Sequence, residues 1–191
     1  MNIGVLALQG DFIEHVGALQ SISVAPSLVR LPGDLSGLDG LIIPGGESTT
    51  IGKLAEAFGL INPLREFGKA HAIWGTCAGA IFLSKDAHRD QPLLHLMDIT
   101  VERNAFGRQV DSFEIDLTVP FFEDGQDHPY HAVFIRAPII KSVAGEAGAL
   151  LTLPDGRIVA AQQGKLLATS FHPELTPDNR FHQYFVALAR S

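Results

Sequence analysis

The chain has 191 residues, and its content of 46% hydrophobic and 18% charged residues is typical of a compact globular protein and excludes a disordered one. Its formal net charge of −7 excludes the basic surface that nucleic-acid-binding proteins use. The single cysteine excludes an internal disulfide. A chain of this length predicts one domain over residues 1–191. Because neither a secretory signal nor an apolar run of membrane length is visible, we expect the protein in the cytoplasm.

The first half of the chain alternates continuous apolar runs with segments whose apolar residues recur at helical spacing. Short apolar runs predict strands that are buried on both faces of a parallel sheet. The predicted strands are residues 3–8, 28–30, 40–43 and 72–74. The predicted helices are residues 11–20, capped by Asp11, and residues 51–58, 63–69 and 80–83. This alternation predicts a doubly wound, three-layer α/β fold with a mostly parallel central sheet.

The second half of the chain is predicted to consist mainly of strands with few helices between them. These strands are residues 99–102, 110–119, 132–135, 149–153, 157–162 and 166–170. Asp155-Gly156 separates two of them and is a strong hairpin signal, which predicts an antiparallel extension of the sheet. A last helix is predicted from Thr176 or Asp178 to residue 190, and residues 122–130 are predicted to be a polar loop.

The sequence Gly75-Thr76-Cys77-Ala78-Gly79 lies between a predicted strand and a predicted helix. Gly-x-Cys-x-Gly in this context is the thiol version of the nucleophile elbow, a turn so tight that a Cβ at either glycine would collide with its neighbours. Such an elbow lifts the Cys77 sulfur above the edge of the sheet as a nucleophile. The alternative is a buried structural cysteine, a common role of a lone Cys.

Ligands of doubly wound sheets bind at the carboxyl ends of the strands. Gln9-Gly10, Gly45-Gly46 and Cys77 all follow predicted strands, so we expect them on one rim of the sheet. Attack of a thiolate on an amide creates an oxyanion that needs N–H donors. One donor is expected from Ala78, directly after the nucleophile, and Gly46 is expected to supply a second, because glycine permits close approach. A plain glycine turn is the alternative for residues 45–46.

Ser170-Phe171-His172-Pro173-Glu174 follows the last predicted strand and returns to the same rim. Residues two apart in an extended segment face the same way, so His172 and Glu174 are expected to converge. The carboxylate would orient one imidazole nitrogen and the other nitrogen would face Cys77, which gives a nucleophile, a base and an orienting group. A surface loop histidine is the alternative for His172, because the chain has eight histidines.

The other seven histidines are expected to be structural or solvated, because no carboxylate partner beside the rim is apparent for them. They are His15, His71, His88, His95, His128, His131 and His182. The spacing of His128 and His131 weakly resembles that of metal ligands, but no Cys or carboxylate completes the set. We therefore expect no metal site.

The motifs around Cys77, the Pro-Gly-Gly loop before it and the His172-Pro173-Glu174 segment together resemble class I glutamine amidotransferases of the triad type. Longer blocks, which span nearly the whole chain, are similar to the glutaminase subunits of pyridoxal 5′-phosphate synthases. These blocks are residues 4–10, 44–50, 101–113, 133–138 and 170–176. The sequence departs from that family at residues 21–36 and 120–130, which look like variable loops and could alter the fit to a partner.

This resemblance implies that six residues line a pocket for glutamine. They are Gly46, Glu47, Ser48, Arg103, Ile135 and Arg136. A guanidinium can hold the carboxylate of a free amino acid by paired hydrogen bonds, and Glu47 could meet the ammonium group. Arg103 and Arg136 could instead be ordinary salt-bridged arginines.

The resemblance further implies hydrolysis of L-glutamine to L-glutamate and ammonia through a γ-glutamyl thioester on Cys77, with His172 moving the protons. The ammonia would pass to a synthase subunit that makes pyridoxal 5′-phosphate. Because that compound is a product, we expect this chain to need no cofactor. One alternative is the same glutaminase serving another ammonia-dependent synthase. Another is a non-catalytic module that senses a metabolite, although a sensor has no use for an activated thiol.

A partner synthase is expected to dock against the rim around Gln9 and Gly10 and against the helix that follows. The outer face of that helix is expected to carry Glu14 and His15. Docking would turn the peptide at 45–46, since glycine accepts φ of either sign, and so complete the oxyanion hole. The isolated chain would then hydrolyse glutamine poorly.

Overall fold

The computed structural model describes residues 1–103 and 112–191 of the chain. Its strands are β1 (Asn2–Leu6), β2 (Ala25–Val29), β3 (Gly40–Ile43), β4 (Ala72–Thr76), β5 (Ser84–Asp86), β6 (Met97–Glu102), β7 (Ser112–Leu117), β8 (Tyr130–Ile135), β9 (Ile139–Val143), β10 (Gly148–Thr152), β11 (Ile158–Gln163) and β12 (Leu166–Thr169). Its α-helices are α1 (Phe12–Ser21), α2 (Ser48–Ala57), α3 (Ile61–Ala70), α4 (Ala78–Leu83) and α5 (Arg180–Arg190), and short 3₁₀ turns lie at Pro32–Leu35 and Pro173–Leu175.

Ten strands form one sheet in the order β2-β1-β3-β4-β12-β11-β9-β6-β5, with β10 paired to β11. Strands β2, β1, β3, β4 and β12 are parallel neighbours. Strand β11 runs antiparallel to β12, β9 and β10, and β9 runs antiparallel to β6. Strands β7 and β8 form a separate antiparallel pair. The predicted doubly wound α/β fold with an antiparallel extension is confirmed.

The central strands are apolar without interruption because helices cover both faces of the sheet. Leu41 of β3 and Ile73 of β4 are partners in register and pack on one face with residues of α2, α3 and α4. Ile42 and Trp74 alternate to the other face and pack with residues of α1 and α5. All four side chains are fully buried, and each aliphatic one stabilises the fold by roughly 1.5–3 kcal/mol.

Because β1, β3, β4 and β12 are parallel, their carboxyl ends meet at one edge of the sheet. The segments that follow them begin near residues 7, 44, 77 and 170. This edge is the rim on which the candidate site is built.

Strands β5 and β9 were not predicted. Strand β9 opens with two buried isoleucines but continues with exposed Lys141 and Ser142, so it has neither a long apolar run nor strict alternation. Its place is fixed by its neighbours β6 and β11.

The predicted start of the last helix, at Thr176 or Asp178, is wrong, because α5 begins at Arg180. The 3₁₀ turn at Pro173–Leu175 comes first, and Asp178 then accepts a hydrogen bond from the backbone N–H of Arg180 at 3.1 Å. The strand predicted over residues 110–119 corresponds to β7 from Ser112 onward, and residues 110 and 111 lie outside the described part of the chain.

Residues 122–130 are not simply a polar loop. Phe122 is buried and packs edge-on against Phe181 of α5, with ring centroids 5.0 Å apart. The guanidinium of Arg180 lies over the Phe122 ring at 5.3 Å. The buried position of Phe122 was not predicted, because the acidic residues that follow it make the segment polar in composition. Among the helices of the described ranges, none is long and apolar enough to cross a membrane.

Candidate active site

Cys77 connects the end of β4 to the start of α4, as the elbow motif predicts. Its φ of 47° and ψ of −104° are unusual for a residue with a side chain, a strain of roughly 1–3 kcal/mol. The flanking glycines make this turn possible. A Cβ on Gly75 would lie 2.5 Å from the backbone of Gly79, and a Cβ on Gly79 would lie 2.0 Å from the carbonyl oxygen of Ile43.

His172 lies between Cys77 and Glu174. Its Nδ1 is 2.7 Å from Oε1 of Glu174, which leaves Nε2 available to the thiol of Cys77, and the interaction with that thiol helps to raise the pKa of the imidazole. The backbone N–H of His172 donates to the carbonyl of Val133 in β8 at 2.9 Å, which fixes the base of the side chain. The predicted meeting of these three residues is therefore present in the structure.

The backbone conformation that brings His172 and Glu174 together differs from the predicted extended one. The segment after His172 is not extended, because Pro173–Leu175 forms a 3₁₀ turn. Pro173 begins this turn with its fixed φ, and the turn brings the carboxylate of Glu174 back beneath the imidazole.

The two partners of His172 determine the charge at this site. Burial opposes the imidazolium form, but hydrogen bonds with Cys77 and Glu174 outweigh it and raise the pKa of His172 to about 10. Burial raises the pKa of Glu174 as well, although the hydrogen bond from His172 acts in the opposite direction. The proton is thus favoured on the imidazole, and the ionisation of Glu174 depends on its remaining neighbours.

The glycine loop after β3 is packed tightly into this site. Gly46 has a φ of +144°, and a Cβ there would lie 2.5 Å from Oε1 of Gln9. A Cβ on Gly45 would lie 2.6 Å from Cε1 of His172. The carbonyl of Gly45 accepts a hydrogen bond from the backbone N–H of Asp11 at 3.2 Å, so the loop is tied to the start of α1.

A cavity of about 440 Å³ opens in front of Cys77, within the usual range for a small-molecule site. The six residues that the resemblance assigns to glutamine binding all line it, together with Gln9, Cys77, Ala78 and His172. Glu174 lies behind His172. Gly10 lies under the glycine loop, where a Cβ would come within 1.7 Å of the Gly45 carbonyl oxygen.

Glu47 and Arg103 are paired with each other inside this cavity, with Nη2 of Arg103 2.9 Å from Oε1 of Glu47. Glu47 also caps α2, accepting hydrogen bonds from the backbone N–H groups of Thr49 at 3.2 Å and Thr50 at 2.7 Å. Burial opposes ionisation, but these bonds and the hydroxyl of Thr50 outweigh it and lower the pKa of Glu47 to about 2. Arg103 is therefore salt-bridged in this structure, which was the alternative to a role in binding the substrate carboxylate.

Arg136 follows β8 with a φ of 42° and faces the cavity. No ion pair with Arg136 occurs within residues 1–103 and 112–191. In contrast to Arg103, its guanidinium is therefore available for an anionic group of a ligand.

Asp11 is at the N-cap position of α1, but the predicted cap is wrong because its side chain makes no capping hydrogen bond. Its Oδ2 lies 3.7 Å from Nδ1 of His172. Asp11, His172 and Glu174 thus present metal-ligand atoms within 4.8 Å of one another. The hydrogen bond between His172 and Glu174 explains the proximity of two of these residues, and a partly exposed acidic group such as Asp11 is common without a metal.

His15 was misplaced by the sequence prediction, which put it on the outer face of α1 without a carboxylate partner. It is fully buried, and its Nε2 lies 3.3 Å from Oε2 of Glu174. The signal was present in the periodicity, because residue 15 falls on the stripe formed by Phe12, Val16 and Leu19. Glu14 is exposed, as predicted.

Other histidines also have carboxylate neighbours that the sequence did not suggest. His131 lies 2.8 Å from Asp116 and 2.9 Å from Glu114 across the β7–β8 pair. His128 lies 3.6 Å from Asp124. Carboxylates therefore lie beside both histidines, and those beside His131 could not be identified from spacing because they belong to the neighbouring strand.

Comparison with known proteins gives consistent matches. The model of the SNO glutamine amidotransferase family matches residues 5–190. The pyridoxal 5′-phosphate synthase subunit PdxT of Herpetosiphon aurantiacus is 57% identical, over 98% of this chain and 100% of that protein. The PdxT subunit of Deinococcus radiodurans is 54% identical, over 99% of this chain and 97% of that protein.

Solved structures show the same architecture. A crystal structure of a glutamine amidotransferase covers 99% of both chains at 48% identity, with a TM-score of 0.92. The structure of PurLQS from Thermotoga maritima, at 14% identity and a TM-score of 0.69, supports the fold alone.

Proposed function

This chain belongs to the SNO glutamine amidotransferase family, and on that premise we propose that it is the glutaminase subunit of a pyridoxal 5′-phosphate synthase with Cys77, His172 and Glu174 as its catalytic triad. One observation carries the assignment of the triad. The buried His172–Glu174 hydrogen bond of 2.7 Å stands directly behind a cysteine held at a strained elbow on the wall of a cavity of amino-acid size.

The reaction follows from this arrangement. His172 takes the proton of the Cys77 thiol, and the thiolate attacks the side-chain amide carbon of glutamine. The tetrahedral oxyanion is stabilised by the backbone N–H of Ala78 and, when the glycine loop is correctly turned, by that of Gly46. The C–N bond then breaks as His172 gives its proton to the departing ammonia, which leaves a γ-glutamyl thioester.

Hydrolysis of the thioester uses the same base. His172 takes a proton from water, and the resulting hydroxide attacks the thioester carbon. The C–S bond breaks, glutamate leaves, and the proton returns to the Cys77 sulfur. Glu174 keeps the imidazole in one orientation and stabilises its charged form in both halves of the reaction.

Substrate recognition is assigned to the polar groups of the cavity. Arg136, whose guanidinium makes no ion pair with the described part of the chain, holds the α-carboxylate of glutamine by charge-assisted hydrogen bonds. The Arg103–Glu47 pair is kept in place by the N-terminus of α2, so that Glu47 presents a fixed negative charge toward the ammonium group. Gly46, Ser48 and Ile135 complete the wall.

Control by the partner is supported by the contacts of the glycine loop. The loop is linked to the start of α1 through Asp11 and through Gln9, whose Oε1 accepts a hydrogen bond from the backbone N–H of Glu47 at 2.8 Å. A synthase that displaces Gln9 and Gly10 would release the carbonyl of Gly45 and let the peptide turn. The whole chain, residues 1–191, acts in this proposal as one domain, and ammonia passes to the synthase without a cofactor on this chain.

The test is ammonia release from L-glutamine, measured for the chain alone, with a pyridoxal 5′-phosphate synthase subunit and with an unrelated ammonia-dependent synthase. We expect strong release with the first synthase only. Release stimulated by the unrelated synthase would favour the alternative partner. Glutamine binding without hydrolysis under all three conditions would favour the sensing module.

A further inference from the structure

One oxygen of the buried Glu174 carboxylate takes no part in the hydrogen bond to His172. Oε1 accepts from His172, whereas Oε2 is buried and no well-aligned hydrogen bond reaches it within the described residues. An ionised carboxylate in such surroundings is costly unless donors face both of its oxygens. Nε2 of His15 lies 3.3 Å from Oε2.

His15 belongs to a short chain of buried polar groups that ends in the core. Its Nε2 lies 3.2 Å from the hydroxyl of Thr76, and its Nδ1 lies 3.0 Å from Nε2 of His182. Both imidazoles are fully buried. Nδ1 of His182, at the end of the chain, has no hydrogen-bond partner among the described residues.

These contacts select one arrangement of protons. If Nδ1 of His15 carried the proton, the lone pair of Nε2 would face the Glu174 carboxylate, and His182 would have to bury an unpaired N–H at Nδ1. If Nε2 of both rings carries the proton, His182 donates to His15, and the Nε2–H of His15 is shared between the Thr76 hydroxyl oxygen and the Glu174 carboxylate. Only an acceptor nitrogen, Nδ1 of His182, is then left without a partner among the described residues. The second arrangement pairs every buried N–H and avoids two facing lone pairs.

We propose that His15 is a positioning residue of the glutaminase reaction: as a neutral imidazole with its proton on Nε2, it donates to Oε2 of Glu174, keeps that carboxylate ionised and aims Oε1 at His172. His182 fixes the tautomer of His15. This inference rests on the proposed function of the triad.

The electrostatic surroundings agree with neutral rings. Burial, together with the charges of His182 and His172, lowers the pKa of His15 well below its ordinary value, and burial lowers the pKa of His182 to about 4. Burial and the charge of Asp11 oppose ionisation of Glu174, whereas His172 and the backbone N–H of Glu174 itself favour it. Tyr130 stays a neutral phenol beside this cluster, because burial raises its pKa. Among the side chains of the described residues, His15 is the one nitrogen donor beside Oε2 that the triad does not use.

The first arm of the test observes the tautomer directly. In ¹⁵N NMR spectra of the wild-type chain with labelled histidine, His15 should show a protonated Nε2 and a bare Nδ1 from about pH 6 to 8, the range in which an ordinary histidine titrates. A bare Nε2, or an imidazolium signal, would overturn the proposal. This arm needs no catalytic activity.

The second arm measures kcat, KM and the pH profile of the complex with the synthase. His15→Ala should lower kcat roughly ten- to a hundredfold, the loss seen when residues that orient metal ligands by hydrogen bonds are removed, with KM nearly unchanged. The acid limb of the profile should move to higher pH, because loss of the donor raises the pKa of Glu174. His15→Gln, which returns an amide N–H, should recover part of the rate. An unshifted acid limb in His15→Ala would overturn the proposal.

Ser84→Ala is the matched control. It removes a buried hydrogen bond, from Ser84 to the carbonyl of Ile81 at 2.7 Å, away from Glu174, and should leave the acid limb in place.

Because Cys77 is the only cysteine, the pH dependence of its alkylation rate compares the same variants without glutamine. Wild-type protein that reacts and shows the expected tautomer but hydrolyses no glutamine would refute the proposed function and not the positioning of Glu174.

Discussion

Nδ1 of His172 lies 2.7 Å from Oε1 of Glu174, and both side chains are buried. The pair stands at the carboxyl end of β12, beside the elbow at the end of β4, so the parallel pairing of these two strands sets the distance between base and nucleophile. The chemistry of the site is therefore fixed by the sheet, and the first prediction concerns the two members of this pair.

His172→Ala should reduce glutaminase activity nearly as far as loss of Cys77, because members of a triad act as a unit. Glu174→Gln should cost roughly a hundredfold less than His172→Ala, as the orienting carboxylate does in subtilisin. Steady-state kinetics with saturating synthase would measure both. A larger loss for Glu174→Gln than for His172→Ala would contradict the roles assigned here.

Arg136→Gln should raise KM for glutamine by roughly ten- to a hundredfold with a smaller change in kcat, because it removes charged hydrogen bonds worth about 1.5–3 kcal/mol. Arg136→Lys, which keeps the charge at the same strained position, is the matched variant and should recover part of the affinity. Initial rates over a range of glutamine concentrations would test this. An unchanged KM in Arg136→Gln would remove Arg136 from the substrate site.

Gly46→Ala should abolish stimulation by the synthase. The added Cβ would meet Oε1 of Gln9 at 2.5 Å and Cα of Gly10 at 2.9 Å, and loss of one oxyanion donor costs roughly 10²–10³ in kcat. The matched control is Gly33→Ala, since a Cβ there meets no atom within 4 Å. Comparable stimulation of Gly46→Ala and Gly33→Ala would refute a role for this peptide, and equal activity of wild type with and without synthase would refute the switch.

Glu47 should make stability depend on pH under acidic conditions. Its pKa in the folded chain is about 2, against 4.5 for the free group, so its stabilising effect is complete above about pH 4.5 and is lost as pH falls toward 2. Glu47→Gln should therefore lose less stability than wild type across that window. Urea unfolding at several pH values, with Glu56→Gln on the exposed face of α2 as the control, would measure the difference. Identical pH slopes for wild type and Glu47→Gln would contradict the prediction.

The parallel half of the sheet could be predicted because its strands are buried on both faces, which gives runs such as residues 40–43 that no amphipathic helix would show. The elbow at Cys77 and its partners His172 and Glu174 could also be placed, since each follows a predicted strand. The antiparallel half was predicted less completely, because the position of β9 depends on neighbours distant in sequence.

The sequence was least informative where one residue type serves two purposes. His15 lies on the apolar stripe of its helix, but because histidine is polar it was predicted to be on the outer face, and its buried contact with Glu174 was missed. Glu47 was assigned to a substrate ammonium, but in the structure its carboxylate also caps α2 and pairs with Arg103. Asp11 was assigned as a cap by residue type, and the distance of its carboxylate from His172 depends on tertiary packing that spacing cannot supply.

The most direct test of the account is covalent labelling of the chain by a glutamine-mimicking electrophile, followed by intact-mass analysis of wild type and Cys77→Ser in the presence of the synthase subunit. The account predicts one label on wild type, protection by glutamine, and no label on a folded Cys77→Ser chain that still binds glutamine but does not turn it over. Undiminished labelling of Cys77→Ser would contradict the assignment of Cys77 as the nucleophile.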